Sequence, residues 1–208
     1  LAVTGNDSGS GTFTIAAPNS NTDRTLNLPD EAGTVLSSGT PLSSFPSGFA
    51  NGITEAQMWR LNTTVTVGST ESFLTAWEVV DSSFYQTIGT GLTRSSSIFS
   101  FPSTGIYYIA WHGRIHYNSS AQKYLFMELQ LTTDNDFSST NFTISAPIQG
   151  GYTSDSYSNL AASALFKISD ISNEKFRFRV RSESANTNLQ GHTNQSNTGF
   201  TVLKLGEI

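Results

Sequence analysis

The sequence predicts an all-β fold built from two packed antiparallel sheets, and three observations predict it. Residues 95–110 read as a strand around Ile98, Phe99 and Phe101, a turn over Pro102, Ser103, Thr104 and Gly105, and a second strand carrying Ile106, Tyr107, Tyr108 and Ile109. Near the end of the chain, residues 198–205 form a strand that is apolar on both faces. Phe200 and Val202 point one way and Leu203 and Leu205 the other, so neither face is left to water. Aromatic residues make up 12% of the chain, 14 of them Phe, which suits the filling of a sandwich core.

The first 40 residues differ in texture from the rest. They are rich in Gly, Ser, Thr and Asn, with short β-like pieces at 11–15, 25–28 and 33–36. Phe13, Ile15, Leu26, Leu28, Val35 and Leu36 are too few apolar groups to bury a core alone. Two readings stand open: a linker without fixed structure, or a β-rich stem segment, 1–40, completed by neighbouring chains.

Residues 41–62 read as a linker ending in the single predicted helix. Pro41, Pro46, Gly48 and Gly52 make its first half a loop. Thr54, Glu55, Ala56 and Gln57 match a capping box, in which Thr54 caps and Gln57 reaches back. About two helical turns through Met58, Trp59 and Leu61 follow from that start, with Trp59 packing under the sheets. From 63 to 208, strands are expected near 64–67, 74–79, 97–101, 106–117, 123–132, 142–146, 161–168, 175–182 and 199–205. Turns rich in Asn, Asp, Ser and Gly separate them.

The strand with Phe99 and Phe101, the strand opening on Gly105, Ile106, Tyr107 and Tyr108, and the terminal strand opening on Gly199 and Phe200 together resemble the C1q/TNF-like jelly roll. Extended back through Leu74, Trp77 and Glu78 and through Gly89, Thr90, Gly91 and Leu92, the pattern is similar to C1q-like domains of marine bacteriophage structural proteins. Residues 11–18 and 26–36 look like a segment that precedes the distal domain in phage fibre and tail proteins. The resemblance implies a C1q/TNF-like jelly-roll head at 63–208, preceded by an intertwined β-rich stem and the short helix. It departs from animal C1q proteins in having no Gly-X-Y stalk.

A closing strand apolar on both faces and a first segment without its own core are both accounted for if three copies share an axis. Tyr107, Ile109, Phe176, Phe178, Phe200 and Val202 are then the expected core and subunit-contact residues.

Composition narrows the function classes. Lys plus Arg is 11 and Asp plus Glu is 16, a net charge of −5, which argues against a nucleic-acid partner. Charged residues are only 13% of the chain, and the polar surface is Ser, Thr and Asn instead. No cysteine is present, so no disulfide or thiolate–metal framework exists, and folding in a reducing compartment is expected. No apolar run is long enough to cross a bilayer, so no membrane insertion is expected.

Several constellations carry chemistry on paper. His112 and His116 lie four apart on a predicted strand, a span of roughly 13 Å, too far to share one zinc within a chain. Asp134 and Asp136 are calcium candidates, but the residues around them fit no EF-hand, and an Asx turn is the favoured reading. Lys175, Arg177, Arg179 and Arg181 alternate with Phe176, Phe178 and Val180, which puts the rings inward and four cations outward. That stripe fits an anionic sugar, a subunit contact or a cross-strand acid, with the structural readings favoured. No nucleophile elbow, zinc-protease motif or P-loop occurs, and Gly89-Thr90-Gly91 lacks the third glycine of a dinucleotide site.

The expected function is therefore that of a non-enzymatic, homotrimeric bacteriophage virion protein, with no cofactor beyond the calcium possibility. A tail fibre whose head attaches to the host surface comes first, a capsid-attached fibre or decoration protein second, and a glycan depolymerase third. The N-terminal region would meet other virion proteins. The host glycan or protein would meet the polar–aromatic stretches 150–157 and 186–194, through Tyr152, Tyr157, Asn188 and His192.

Overall fold

A computed structural model describes residues 52–208 apart from 119–121, 140, 146–147, 152–154 and 186, together with Gly9 and residues 21–23. The expected stem at 1–40 and the loop at 41–51 lie outside the described residues, save those four positions. The strands of the first half are β1 (Ala56–Leu61), β2 (Thr63–Val67), β3 (Ser72–Phe73), β4 (Trp77–Val79), β5 (Thr93–Ser95), β6 (Ile98–Ser100) and β7 (Gly105–Tyr117). Those of the second are β8 (Gln122–Thr132), β9 (Asn141–Ser145), β10 (Ile148–Gly151), β11 (Ser156–Ile168), β12 (Lys175–Ser182), β13 (Thr187–His192) and β14 (Gly199–Gly206).

Among the described residues these strands form two antiparallel sheets. The first runs β2-β13-β7-β14-β1-β4, with β11 on the other side of β7. The second runs β10-β8-β12-β6-β5, with β9 beside β8 and β3 beside β12. β14 lies between β7 and β1, so the end of the chain closes the middle of the first sheet.

The core between the sheets is aromatic. Phe99 of the second sheet meets Trp59 edge-on at 5.2 Å, Phe200 edge-on at 5.1 Å, and Phe176 stacked at 4.8 Å. Edge-to-face and offset contacts suit ring quadrupoles, and each adds about 0.5–1.5 kcal/mol beyond area burial. Indole N–H groups in such a core need acceptors. Trp59 donates to Gln57 Oε1 at 2.8 Å, Trp77 to the Leu74 carbonyl at 3.1 Å, and Trp111 to the Met127 carbonyl across the sheets at 3.2 Å.

The expected helix is replaced by strand β1. Its residues pair on both sides, Trp59 with Phe200 of β14 and with Val79 of β4. Gln57, Trp59 and Leu61 alternate into the core, a period of two that a helix cannot satisfy. The capping-box side chains still satisfy orphan amides, but those of a distant loop. Glu55 accepts from Gly91 N at 2.8 Å and Thr90 N at 3.2 Å, and Gln57 Oε1 accepts from Leu92 N at 2.8 Å. Gly89-Thr90-Gly91 is glycine-rich for this contact: both glycines have positive φ, and a Cβ would come within 2.4 Å of the Glu55 carboxyl group at 89 and 2.6 Å of Gln57 at 91.

Four further strands stand where loops were expected. β3 pairs Ser72 and Phe73 with β12, β5 is a short edge piece, β10 takes up part of 150–157, and β13 takes up most of 186–194. β11 also starts at Ser156 rather than 161, because it pairs with β7 along its whole length. Ser, Gly, Gln and Asn are frequent in these segments and carry little intrinsic strand preference; tertiary pairing supplies it.

Candidate functional site

Period-two alternation sends one set of first-sheet side chains into the core and the other set outward. The outward set on β7 is Ile106, Tyr108, Ala110, His112, Arg114 and His116. The register aligns it with neighbours on both sides. Leu165 of β11 lies opposite Tyr108, Tyr108 opposite Leu203 of β14, and Leu203 opposite Ala56 of β1. Ala56 exchanges backbone hydrogen bonds with Ile88 at 2.9 and 3.0 Å. One apolar rung thus crosses the whole face. Beside it lies a shallow depression of about 430 Å³, walled by Tyr108, Ala110, His112, Ala161, Ser163 and Thr201.

Eight residues along β11 from Leu165, about 27 Å away, the same face is polar. Here Tyr157 of β11 lies opposite His116 of β7, His116 opposite Asn188 of β13, and Asn188 opposite Thr66 of β2. The Tyr157 ring stacks on the His116 imidazole at 4.4 Å, and the Arg114 guanidinium sits 4.9 Å from the same ring. His116 Nε2 donates to Asp155 at 2.8 Å. Asn188 accepts from Thr66 Oγ1 at 3.0 Å and donates to Asn118 Oδ1 at 3.1 Å. His112 donates to the Ser196 carbonyl at 2.9 Å. The arrangement offers aromatic faces, amide forks and one exposed guanidinium, the groups that bind hydroxyl-rich or anionic ligands.

The structure brings two of the sequence-predicted residues, Tyr157 and Asn188, onto one rung. His192 is not with them. It lies at the other end of β13 opposite Thr63, exposed, its Nδ1 accepting from Asn194 N at 2.9 Å. Tyr152 lies outside the described residues. Arg114 and Asp155 were not singled out from sequence, although the His112–His116 spacing already placed Arg114 on their face.

Tyr107, Ile109, Phe176, Phe178, Phe200 and Val202 are all buried between the sheets, so their side chains are consumed within one chain. The outward residues of the same strands are Tyr108, Ala110, Thr201 and Leu203.

The Asp134 carboxylate accepts from Phe137 N at 2.9 Å, Ser139 N at 2.5 Å, Ser139 Oγ at 2.8 Å and the Thr132 hydroxyl, and Asp136 accepts from Ser138 N at 3.0 Å. These are the bonds of an Asx-type loop. Among the described residues no three His, Cys, Asp or Glu side chains gather as a metal cluster.

The β12 cations are largely spent within the sheet. Arg179 pairs with Glu128, its cross-strand neighbour, and with Glu71 at 3.0 Å. Arg177 lies over the rings of Phe73 at 3.7 Å and Phe137 at 4.0 Å. Burial and the adjacent Arg179 lower its pKa against the pull of Asp134. Lys175 is buried and donates to the Ile171 carbonyl at 2.6 Å. Ser103, Lys204 and Tyr107 also meet: Lys204 Nζ lies 3.1 Å from Ser103 Oγ and pairs with Glu207 at 2.7 Å, and the Tyr107 hydroxyl donates to the Ser103 carbonyl at 2.9 Å.

No protein-family model matches the chain, and no curated protein sequence does. Solved structures do resemble it. Murine APRIL, at pH 8.5 and at pH 5.0, superposes with a TM-score of 0.52 at 14% identity, over 73% of this chain and 98% of that one. Eiger TNF from S. frugiperda superposes with a TM-score of 0.55 at 14% identity, over 76% and 96%. At this identity the likeness establishes the fold, a C1q/TNF-like jelly roll.

Proposed function

We propose that the chain is a non-enzymatic, homotrimeric fibre protein of a bacteriophage virion, most directly a tail fibre whose jelly-roll head attaches to the host surface. The observation that carries the reading is the closing strand. Phe200 and Val202 fill the core, while Leu203 and Thr201 lie on an outward face that a single chain leaves open. A protein presenting so apolar a face is built to be covered, and a second copy is the cover always available. The phage assignment draws on the sequence resemblance of the segments at 11–36 and 74–107. The region before the head joins other virion proteins.

Recognition belongs to the polar end of the face. Tyr157, His116, Arg114 and Asn188 stand there, about 27 Å from the apolar rung. Three copies of one head, and many heads on one particle, let weak contacts to a host glycan or protein add up.

Sedimentation of the purified chain should give three copies, and a stable monomer would sink the trimer. Replacing Tyr152 and Tyr157 with alanine should reduce adsorption of heads to host cells while folding is kept. Unchanged adsorption moves the binding surface elsewhere. A head that never binds cells favours the second reading, a capsid-attached fibre or decoration protein.

A further inference from the structure

On the outward side of the second sheet, cations and carboxylates pair off around β12 and leave one arginine out. β12 lies inside that sheet, between β8 on one side and β6 and β3 on the other, so its backbone is occupied and only side chains face outward. Arg179 takes both Glu128 and Glu71. Glu183 is held by Lys123, through the ammonium at 3.0 Å and the amide at 2.7 Å. Arg181, opposite Phe126 of β8, pairs with no carboxylate and makes no hydrogen bond among the described residues. Its Nε is shielded from water and has no acceptor. A buried donor without a partner is costly, and folded proteins seldom keep one without a use.

Arg177 stands four residues away on the same face, roughly 13 Å along the strand. It gives Nε to Gln130 at 3.0 Å and lies across the rings of Phe73 and Phe137. The Asp134 carboxylate, whose charge reaches it, is taken up by the amides of its own loop. A guanidinium stacked on rings is held in one orientation and keeps N–H groups at its edge for an anion. Beside Arg181, Phe126 and Tyr124 stack at 6.3 Å, and the Tyr124 hydroxyl has no hydrogen-bond partner among the described residues.

The geometry points to a binding site for a linear, carboxylate-bearing polysaccharide along β12, with Arg181 as its principal anchor and Arg177 as the second. Two unpaired guanidinium groups on one straight strand, with the neutralised Arg179 between them, suit charges repeated along a polymer. Planar carboxylates match a guanidinium edge two bonds at a time, and sugar C–H faces can rest on Phe126 and Tyr124. A protein partner would need an apolar anchor at the centre of the contact, and Arg177 already covers Phe73 and Phe137. A nucleic acid is opposed by the net charge of −5, and the covered rings offer no face to a base. The site lies on the other sheet from the polar rung at Tyr157 and depends on neither the trimer nor the phage reading.

The full chain is titrated with polygalacturonate, with neutral dextran and with a single-stranded oligothymidylate, and each variant is also melted. Polygalacturonate should bind and dextran should not. Arg181→Gln should weaken binding about ten-fold or more. Its melting temperature should not fall, because the change removes an unpaired donor rather than a bond. Arg181→Lys keeps the charge without the fork and should bind nearly as weakly, which carries the same test in a second variant. Lys167→Gln removes one charge from the other sheet and should change affinity by no more than about two-fold. A folded chain that ignores polygalacturonate, or Arg181→Gln binding it as before, would overturn the site. Full binding by Arg181→Lys would mean diffuse charge attraction and overturn the fork. Oligothymidylate binding as tight as polygalacturonate would overturn the sugar assignment. Loss of binding in Arg114→Gln but not in Arg181→Gln would move the anion to the first sheet and overturn the location.

Discussion

The His116 imidazole and the Tyr157 phenol stack across the β7–β11 pair, their centroids 4.4 Å apart and their planes 16° from parallel. Arg114 lies near the same tyrosine ring, so the ring rather than the hydroxyl carries the contacts. Tyr157→Ala should cost about 1 kcal/mol and lower the melting temperature by about 2–4 °C, while Tyr157→Phe should be close to neutral. A double-mutant cycle with His116→Ala, read from urea unfolding, should give a coupling of at least about 0.5 kcal/mol. Additive losses would mean the stacking contributes nothing.

Glu55 and Gln57 clamp the 89–92 turn, and two glycines make room for them. Gly89→Ala places a Cβ 2.4 Å from the Thr54 carbonyl oxygen as well as from the Glu55 side chain, at a φ of 74°. The backbone oxygen cannot swing aside, so a loss of about 1–3 kcal/mol is expected from chemical denaturation. Gly91→Ala meets only the Gln57 side chain and should cost less.

Arg60 points outward from β1 yet its side chain is only 3% exposed, paired with Glu78 at 2.8 Å and Asp81 at 2.5 Å. Burial disfavours its charge, but the hydrogen bonds to both carboxylates outweigh that and raise its pKa, so it stays ionised. Glu78→Ala would leave the buried guanidinium short of a partner at a cost of about 1–3 kcal/mol. Arg60→Met, with similar volume and no charge to strand, should cost less than Glu78→Ala. The reverse order in thermal melts would contradict this account.

Stability should fall at both ends of the pH scale for different groups. Asp170 is held below the ordinary carboxylate range by the Asn173 side chain and the Ser172 amide, and Glu183 by the Lys123 amide and ammonium. A depressed folded-state pKa gives stability that is present above about pH 4 and lost as pH falls through the folded value. Burial raises the pKa of Tyr107 and Tyr117 against the hydrogen bonds from or to Ser103 and Ser158. A raised folded-state pKa gives stability that is present below about pH 10 and lost as pH climbs through the folded value. Urea midpoints should therefore be flat between about pH 5 and 9 and drop outside. Asp170→Asn should soften the acid limb, and phenolate absorbance should appear with unfolding on the alkaline limb.

Local pattern determined much of this protein. The alternation in Ile106 to Tyr117, in Lys175 to Ser182 and in Phe200 to Leu205 specified strands, their inward rings and the all-β class, because a strand's two faces are written directly in residue order. The same alternation placed His112 and His116 on one face and left Leu203 for something other than the core. Tertiary structure decided the rest. Ala56–Leu61 carries a helix-start signature, and it became a strand because β14 and β4 offer hydrogen bonds along both its edges, which outweigh a propensity of a few tenths of a kcal/mol per residue. β13 has no strand-like composition and exists through pairing with β7 and β2. The meeting of Tyr157 with His116, and of Ala56 with Leu203 in the apolar rung, joins residues up to 147 positions apart in the chain (203 − 56). No local pattern encodes such a distance, because register between remote strands is settled only when all the faces are buried together.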